Sequence, residues 1–414
     1  MTDPGVAREE VPPGYKRTEV GVIPEEWQAV KLGHLANIVR GASPRPIDSP
    51  KWFDKYSSTG WLRISDVTAA GKYVAETAQS LSAAGIANSR FVKSGNLIMS
   101  ICATVGRPVI TRKDVCIHDG FVVFDNLRAD NEYLYYALSN IEADWSKHGQ
   151  TGSQMNLNTN LIRVTPIPLP SLPEQQAIAA ALSDADGLIG ALDVLIEKKR
   201  AIKQAAMQQL LTGKKRLPGF AGEWETKRLG DILKFQVGFP FSSKYFTSTE
   251  PGLRLVKNRD LKADDEIVYY NGPYLDDYLV RDADVIVGMD GDFIPCVWDR
   301  GEALLNQRVG RLRASSDLDV KFAYYFLHKP LKEIERVTSS TTVKHLSHGD
   351  VEDITGLIPG FPEQRAIAAV LSDMDAEIAA LERRREKAQQ IKQGMMQQLL
   401  TGRIRLVEPP EAAA

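Results

Sequence analysis

The chain repeats itself, and that repeat limits every fold it can adopt. Residues 173–217 read PEQQAIAAALSDADGLIGALDVLIEKKRAIKQAAMQQLLTGKKRL, and residues 362–406 read PEQRAIAAVLSDMDAEIAALERRREKAQQIKQGMMQQLLTGRIRL. The offset is 189 throughout, without a gap, and 28 of the 45 positions are identical. Fainter echoes precede each copy: Glu26-Trp27 with Leu32-Gly33 answers Glu223-Trp224 with Leu229-Gly230, and Tyr135-Tyr136 answers Tyr324-Tyr325. The organisation is a variable block of about 135 residues followed by a conserved segment, twice.

Each conserved segment reads as one long helix with marked ends. Pro173 and Pro362 suit a first helical turn, and Glu174 and Glu363 follow at the positive end of the helix dipole. Gly213 and Gly402 close the runs as C′ glycines. With no proline between these marks, each helix could be ~60 Å long. Ile178, Leu182, Ala185, Ile189 and Leu192 are spaced 4, 3, 4, 3, as are Ile367, Leu371, Met374, Ile378 and Leu381. That is the spacing of a coiled-coil seam, so the two copies are expected to pair, and chain order favours an antiparallel pair. The simpler alternative is that each helix covers its own block.

The blocks carry mixed patterns. Val92–Ile101, Arg107–Ile110, Ala283–Gly288 and Ile294–Val297 read as strands, and Tyr133–Asn140 and Val320–Lys329 as helices with aromatic faces. Turn glycines separate them, and an α+β domain with a largely antiparallel sheet is expected in each block. A length of 414 residues accommodates two or three domains at ~100–200 residues each. No apolar run approaches the ~18–20 residues of a membrane helix, and the polar first twenty residues lack a signal-peptide core, so a soluble, cytoplasmic protein is expected. Cys102, Cys116 and Cys296 show no Cys-x-x-Cys pairing.

Catalytic constellations are missing from the sequence. Gly213-Lys214 is a fragment of a phosphate-binding loop, and no Gly-x-Gly-x-x-Gly run occurs. Asp193 with Glu197-Lys198-Lys199 imitates a nuclease motif but falls within a helix, where a solvated face is the simpler reading. His345 and His348 form the one close histidine pair, without a cysteine or carboxylate cluster beside it. No cofactor or metal is expected on this chain, and no enzymatic activity.

Binding chemistry is better represented. The net charge of −2 (51 Lys+Arg, 53 Asp+Glu) argues at first against nucleic acid, but it conceals local fields. Seven basic residues face one acid between Glu197 and Arg216, and seven face two between Glu382 and Arg405. Between Gly41 and Arg63, Arg45, Lys51, Lys55 and Arg63 interleave with Trp52, Phe53, Tyr56 and Trp61. Such a mixture suits a nucleic-acid surface, and the same aromatics would equally serve to pack the loop. The second block has Arg254, Lys257, Asn258 and Arg259, then Asn306, Gln307 and Arg308; Asn, Gln and Arg can read purines bidentately.

In its order of parts the chain resembles the specificity subunit of type I restriction–modification systems. The resemblance rests on the duplicated order, the helix starts at Leu172 and Phe361 with Pro-Glu-Gln, the Trp61–Asp66 run, the Ser100–Gly106 turn and the Gln150–Asn156 stretch. It implies an α+β fold of two pseudo-symmetric target-recognition domains joined by two long helices in an antiparallel coiled coil. The expected divisions are an N-terminal arm (1–24), a first recognition domain (25–170), spacer helix one (171–216), a second domain (217–359), spacer helix two (360–406) and a tail (407–414). Each domain would read half of a bipartite, non-palindromic site in the major groove of double-stranded DNA. The helices would set the half-site spacing and dock two methyltransferase subunits, with restriction/translocase subunits joining. S-adenosylmethionine, ATP and Mg would be bound by those partners.

The family's DNA-facing loops fall on Gly41–Pro46, Trp61–Asp66, Ser100–Gly106 and Gln150–Asn156, then on Gly238–Phe241, Lys257–Asp260, Met289–Asp292 and Thr338–Lys344. Within or beside them the candidate contacts are Arg45, Lys51, Trp61, Arg63, Ser65, Thr104, Gln150, Thr151 and Ser153, with Lys257, Asn258, Arg259, Gln307, Arg308, Thr341 and Lys344 in the second block. Candidate spacer contacts are Ile178, Leu182, Ile189, Leu192, Ile367, Leu371, Ile378 and Leu381. Cys102-Ala103 stands where many members carry Arg-Gly, which puts a base contact there in doubt. The acidic Met289–Asp292 turn suits a cytosine-amino contact or none. The alternative function is a coiled-coil scaffold that does not read DNA.

Overall fold

The two long helices run Leu172–Leu210 and Phe361–Leu399, 39 residues each. The computed structural model describes residues 11–145, 157–249, 251–338 and 344–407. The chain divides into two units, Met1–Leu192 with Arg384–Ala414, and Asp193–Arg383. Each unit therefore contains one variable block, the start of the helix that follows it and the end of the other helix. The segments run antiparallel. Asp186 meets Lys392 (2.6 Å) and Glu174 meets Arg405 in the first unit, while Lys199 meets Glu377 (2.6 Å) and Arg216 meets Glu363 in the second.

The helix starts explain their own conserved sequence. The Glu174 carboxylate, 1% exposed, accepts the Trp27 indole N–H (2.9 Å) and a fork from Arg405 (Nη2–Oε2 2.9 Å). Glu363 is held in the same way by Trp224 (3.1 Å) and Arg216 (Nη2–Oε2 2.6 Å). The neighbouring glutamine carboxamide spans two backbones: Gln175 accepts from Asp130 N (2.8 Å) and donates to Pro170 O (2.8 Å). Gln364 repeats this with Asp319 N and Pro359 O. Asp130 and Asp319 each N-cap a block helix, Asn131–Asn140 and Val320–Val337. A third pin follows about three turns further along the long helix, where Tyr136 donates to Asp186 (2.7 Å), which also pairs with Lys392. Tyr325, Asp375 and Lys203 repeat it.

The seam residues serve both the block and the opposite helix. Ile178 and Leu182 share a core with Tyr133, Tyr136, Met396 and Leu399, and Ile367 and Leu371 share one with Phe322, Tyr325 and Leu210. Leu192 and Ile378 are buried, Ile189 and Leu381 half-buried, and Ile196, the next position of the 4-3 spacing beyond the five named, is only 2% exposed. Gly213 and Gly402 take φ of 69° and 70° at the helix ends.

Each block contains two main sheets where a single, largely antiparallel one was expected, and three of the four include a parallel pair. In the first unit, Asn37–Arg40, Phe121–Asp125, Leu97–Ser100 and Pro108–Thr111 lie in that order, with Tyr73–Val74 parallel at the edge. The second sheet is ordered Gln79–Ser80, Gly60–Leu62, Val115–Ile117, Arg90–Val92, its central pair parallel. The second unit repeats the first order without the parallel edge strand and the second order with one strand more. Leu233–Val237, Val309–Ala314, Val285–Gly288 and Pro295–Val297 form one sheet, and Leu253–Val256 pairs parallel with Ala303–Leu305 in the other. The expected strand Val92–Ile101 is two strands in different sheets, split where Gly95 adopts φ 88°. The helix expected to stop at Lys329 runs on through Pro330 to Val337. Among the described residues no helix is long and apolar enough to cross a membrane, and no metal-holding group of three His, Cys, Asp or Glu occurs.

Arg405→Ala would leave Glu174, whose side chain is 2% exposed, without its cation. The expected cost is about 3 kcal/mol of stability in the first unit, read by chemical denaturation, with part recovered by adding Glu174→Gln. A loss under about 1 kcal/mol would show the ion pair to be dispensable.

Candidate nucleic-acid interface

Both units build the same joint where the first sheet strand runs out into a loop. Gly41 N–H donates to Phe121 O (2.9 Å) and Ala42 N–H to Ile117 O (3.0 Å); Gly238 and Phe239 donate to Val309 O and Leu305 O (2.9 Å each). A Cβ on Gly41 would lie 2.0 Å from His118 O, and one on Gly238 2.1 Å from Asn306 O, so only glycine fits. A second joint is the helical turn opened by Arg63 and by Lys257. Their backbone N–H groups donate to Asp66 (2.9 Å) and Asp260 (2.8 Å), which accounts for an aspartate three residues on in both blocks. A third ties the Ser100–Gly106 and Met289–Asp292 turns to the chain before each helix, through Leu157 N–H to Ile101 O (2.9 Å) and Leu346 N–H to Met289 O (2.8 Å).

These joints gather side chains from distant parts of the sequence. In the first unit the centre is Asp119. It accepts from Ser43 Oγ (2.8 Å), lies 3.6 Å from Arg45 and 3.8 Å from His118, and its carbonyl accepts from Arg40 Nε (2.6 Å). The Ser43 hydrogen bond holds the Asp119 carboxyl below the usual range, while burial pushes His118 down, with Arg63 adding to the effect. Arg63 and Ser65 are exposed on the second joint, and Arg45 is 73% exposed. Lys51 lies over the Trp52 ring at 4.2 Å. Thr104 is half-buried, its carbonyl accepting from Ser100. Cys102 packs against Gly120 O at 3.7 Å.

Trp61 requires correction as a contact residue. At 2% exposure it belongs to a core with Trp52, Leu81 and Cys116, the last with its thiol pushed up to about 12 by burial. Of the loop's aromatic residues only Tyr56 is open, at 85%. Gln150, Thr151 and Ser153 lie outside the described residues, as does Thr341.

In the second unit the centre is Asp290, with His345 Nδ1 at 2.8 Å and Arg308 Nη1 at 3.4 Å. Gln307 is exposed beside Arg308, and Lys257 lies over the Phe246 ring at 5.3 Å. Three candidates are already engaged within the protein. Asn258 uses its amide to hold the Asp290 backbone (Nδ2–O 2.7 Å), Lys344 Nζ donates to Glu335 O (2.6 Å) in the last turn of a helix, and Arg259 pairs with Glu266 (2.7 Å). The first two commit one donor each to a loop or helix-end carbonyl, which fixes where the side chain lies. The acidic turn is neutralised: Asp292 pairs with Lys262 as Asp290 does with Arg308. Asp119 and His345 were missing from the candidate contacts, and Asp290 entered only as part of the acidic turn Met289–Asp292; the local signal of Asp119 is no more than a polar residue in a turn between strands.

Each unit thus presents exposed polar side chains on loops fixed by backbone hydrogen bonds, Arg45, Arg63 and Ser65 in the first and Arg259, Gln307 and Arg308 in the second. Such groups contact phosphates and base edges.

The model of the type I restriction modification DNA specificity domain matches residues 24–198 and again 221–393. The EcoBI specificity subunit of the Escherichia coli type I restriction enzyme is 34% identical over 186 residues, 44% of this chain but only 39% of that protein. The MjaVIII specificity subunit of Methanocaldococcus jannaschii is 25% identical over 416 aligned positions, covering 93% of this chain and 94% of its own. Among solved structures, the S subunit of the M. genitalium type I restriction–modification system has a TM-score of 0.59 at 15% identity, covering 90% of this chain and 96% of that one. A chain from a structure of type I R-M complex assembly has a TM-score of 0.56 at 18% identity, with 92% and 99% covered. Those two likenesses concern the fold. With the same domain signature matched twice over most of its length, this chain belongs to the type I restriction–modification DNA specificity family.

Proposed function

We propose that each unit reads one half of a bipartite, non-palindromic DNA site in the major groove, and that the paired helices set the distance between halves and dock methyltransferase subunits. The observation that carries this reading is one set of backbone joints bearing different side chains. Ala42, Cys102 and Asp119 in the first unit stand where Phe239, Asp290 and Gln307 stand in the second. A shared frame with divergent surfaces suits two different half-sites. In this reading the chain is not itself a catalyst. Double-stranded DNA, two methyltransferase subunits and restriction/translocase subunits are its partners in the cytoplasm, and S-adenosylmethionine, ATP and Mg belong to those partners.

Half-sites about one DNA turn apart need a separation of ~34–36 Å, which lies within reach of helices of this length. Internal ion pairing consumes many cations, so a weak grip on DNA without the partners is expected.

Replacing residues 222–358 by the corresponding block of another family member is expected to change one half of the methylated sequence and leave the other intact, as read by mapping methylated positions. A change in both halves or in neither would overturn the modular reading, and methylation without sequence preference would favour the scaffold alternative. Inserting four residues after Leu192 and four after Leu381 adds one turn, ~6 Å, to each helix. The gap between half-sites is expected to lengthen by about one to two base pairs at ~3.4 Å each. An unchanged gap would remove the helices from that role.

A further inference from the structure

Arg308 is held differently from four other arginines of the second block, whereas Arg281 and Arg336 resemble it in committing one nitrogen, each to an exposed glutamate. Arg254, Arg259, Arg311 and Arg313 each commit two or more nitrogens to carboxylates, carbonyls or a glutamine amide oxygen. Arg308 commits one. Its contacts with Asp290 Oδ1 (3.4 Å) and His345 Nδ1 (3.2 Å) both use Nη1. Among the described residues nothing engages Nε or Nη2, and the side chain is 52% exposed.

The group holding Arg308 is itself fixed. Asn258 brackets Asp290, donating to its carbonyl (2.7 Å) and accepting from its N–H (3.4 Å). Met289 N–H donates to Arg308 O (3.1 Å), and Gly291 N–H to Lys344 O (3.0 Å). His345 lies against the same carboxylate at 2.8 Å. One corner of the guanidinium is therefore tethered to a fixed turn, which leaves Nε and Nη2, a two-donor fork, without a partner among the described residues.

We propose that Arg308 is the guanine-reading residue of the second block and that Asp290 is its positioning residue. The proposal rests on the reading of this unit as a DNA-reading domain. Guanine offers two adjacent acceptors in the major groove, O6 and N7, and no other base does. A guanidinium fork matches that pair, and tethering it beforehand lowers the conformational entropy lost on binding. The first unit supports the argument independently: Arg45 lies 3.6 Å from Asp119, with His118 beside the same carboxylate at 3.8 Å. The same trio of residue types arises there from non-equivalent positions, as expected if an aspartate-steered arginine is useful and its place in the site is free to vary.

The test uses the full chain co-expressed with the methyltransferase subunit of its system, with methylated sites mapped by sequencing and duplex binding measured at one salt concentration. The second half-site is expected to contain an invariant guanine. Arg308→Gln is expected to lower the preference for that guanine roughly 10- to 100-fold while leaving the first half unchanged, which also certifies folding. Putting 7-deazaguanine, which lacks N7, at that position should weaken wild-type binding and add nothing to Arg308→Gln. Asp290→Ala should weaken the same preference several-fold, and Asp290→Asn, which keeps an acceptor, should restore part of it. A second half-site without an invariant guanine, or Arg308→Gln with every position unchanged, overturns the proposal while specific methylation leaves the DNA-reading function standing. Loss of preference at a cytosine in Asp290→Ala, with the guanine intact, overturns the positioning role. Methylation without sequence preference in the wild-type complex removes both readings together.

Discussion

A carboxylate buried at the start of each long helix is the constraint around which the rest is arranged. Glu174 and Glu363, 1% and 4% exposed, would be costly without a cation and further hydrogen bonds. Each receives both, from a tryptophan of its own block and from an arginine just past the end of the opposite helix. A unit is therefore complete only when block, helix start and opposite helix end meet. The residues that enforce this are those identical between the copies: the Pro-Glu-Gln start, Asp186 and Asp375, Lys203 and Lys392, Arg216 and Arg405. Positions 193–196 and their counterparts 382–385, which carry none of these pins, differ at every residue.

The recognition loops show the same division between frame and surface. Gly41 and Gly238, Asp66 and Asp260, and the turns tied to Leu157 and Leu346 do equivalent mechanical work in the two units. The side chains at the loop ends do not correspond. Because main-chain hydrogen bonds and close backbone approach hold the loops, substitutions at their tips leave the scaffold undisturbed. Charge follows suit: many basic groups are matched inside the protein, and a near-zero net charge is compatible with the proposed reading surface.

How legible each part was depended on how local its cause is. The helix ends could be read directly, since a prolyl first turn and a left-handed C′ glycine are local properties. The seam spacing located Ile178, Leu182, Ile367 and Leu371, though not that these residues also pack the blocks. Trp61 was misread because an aromatic among basic residues looks alike whether it packs a loop or meets a base; burial alone separates the two. The internal partners of Asn258 and Lys344 were not legible because they lie 32 and 9 residues away. The split of Val92–Ile101 between two sheets, and the parallel pairing at the centre of one sheet in each block, depend on strands brought together by the fold.

By itself the sequence determined the tandem organisation, the two long helices with their ends, the α+β character of the blocks and, through the resemblance its motifs carry, the family. Periodicity, capping and repetition act over a few residues or reproduce themselves along the chain. Tertiary structure decided which polar side chains remain available. A loop arginine can face solvent, pair with a nearby carboxylate or stand tethered by one nitrogen. Only the positions of Asp290, Asp264 and Glu266 distinguish Arg308 from Arg254 and Arg259, because the energy of a charged group depends on what lies within a few ångströms of it in space.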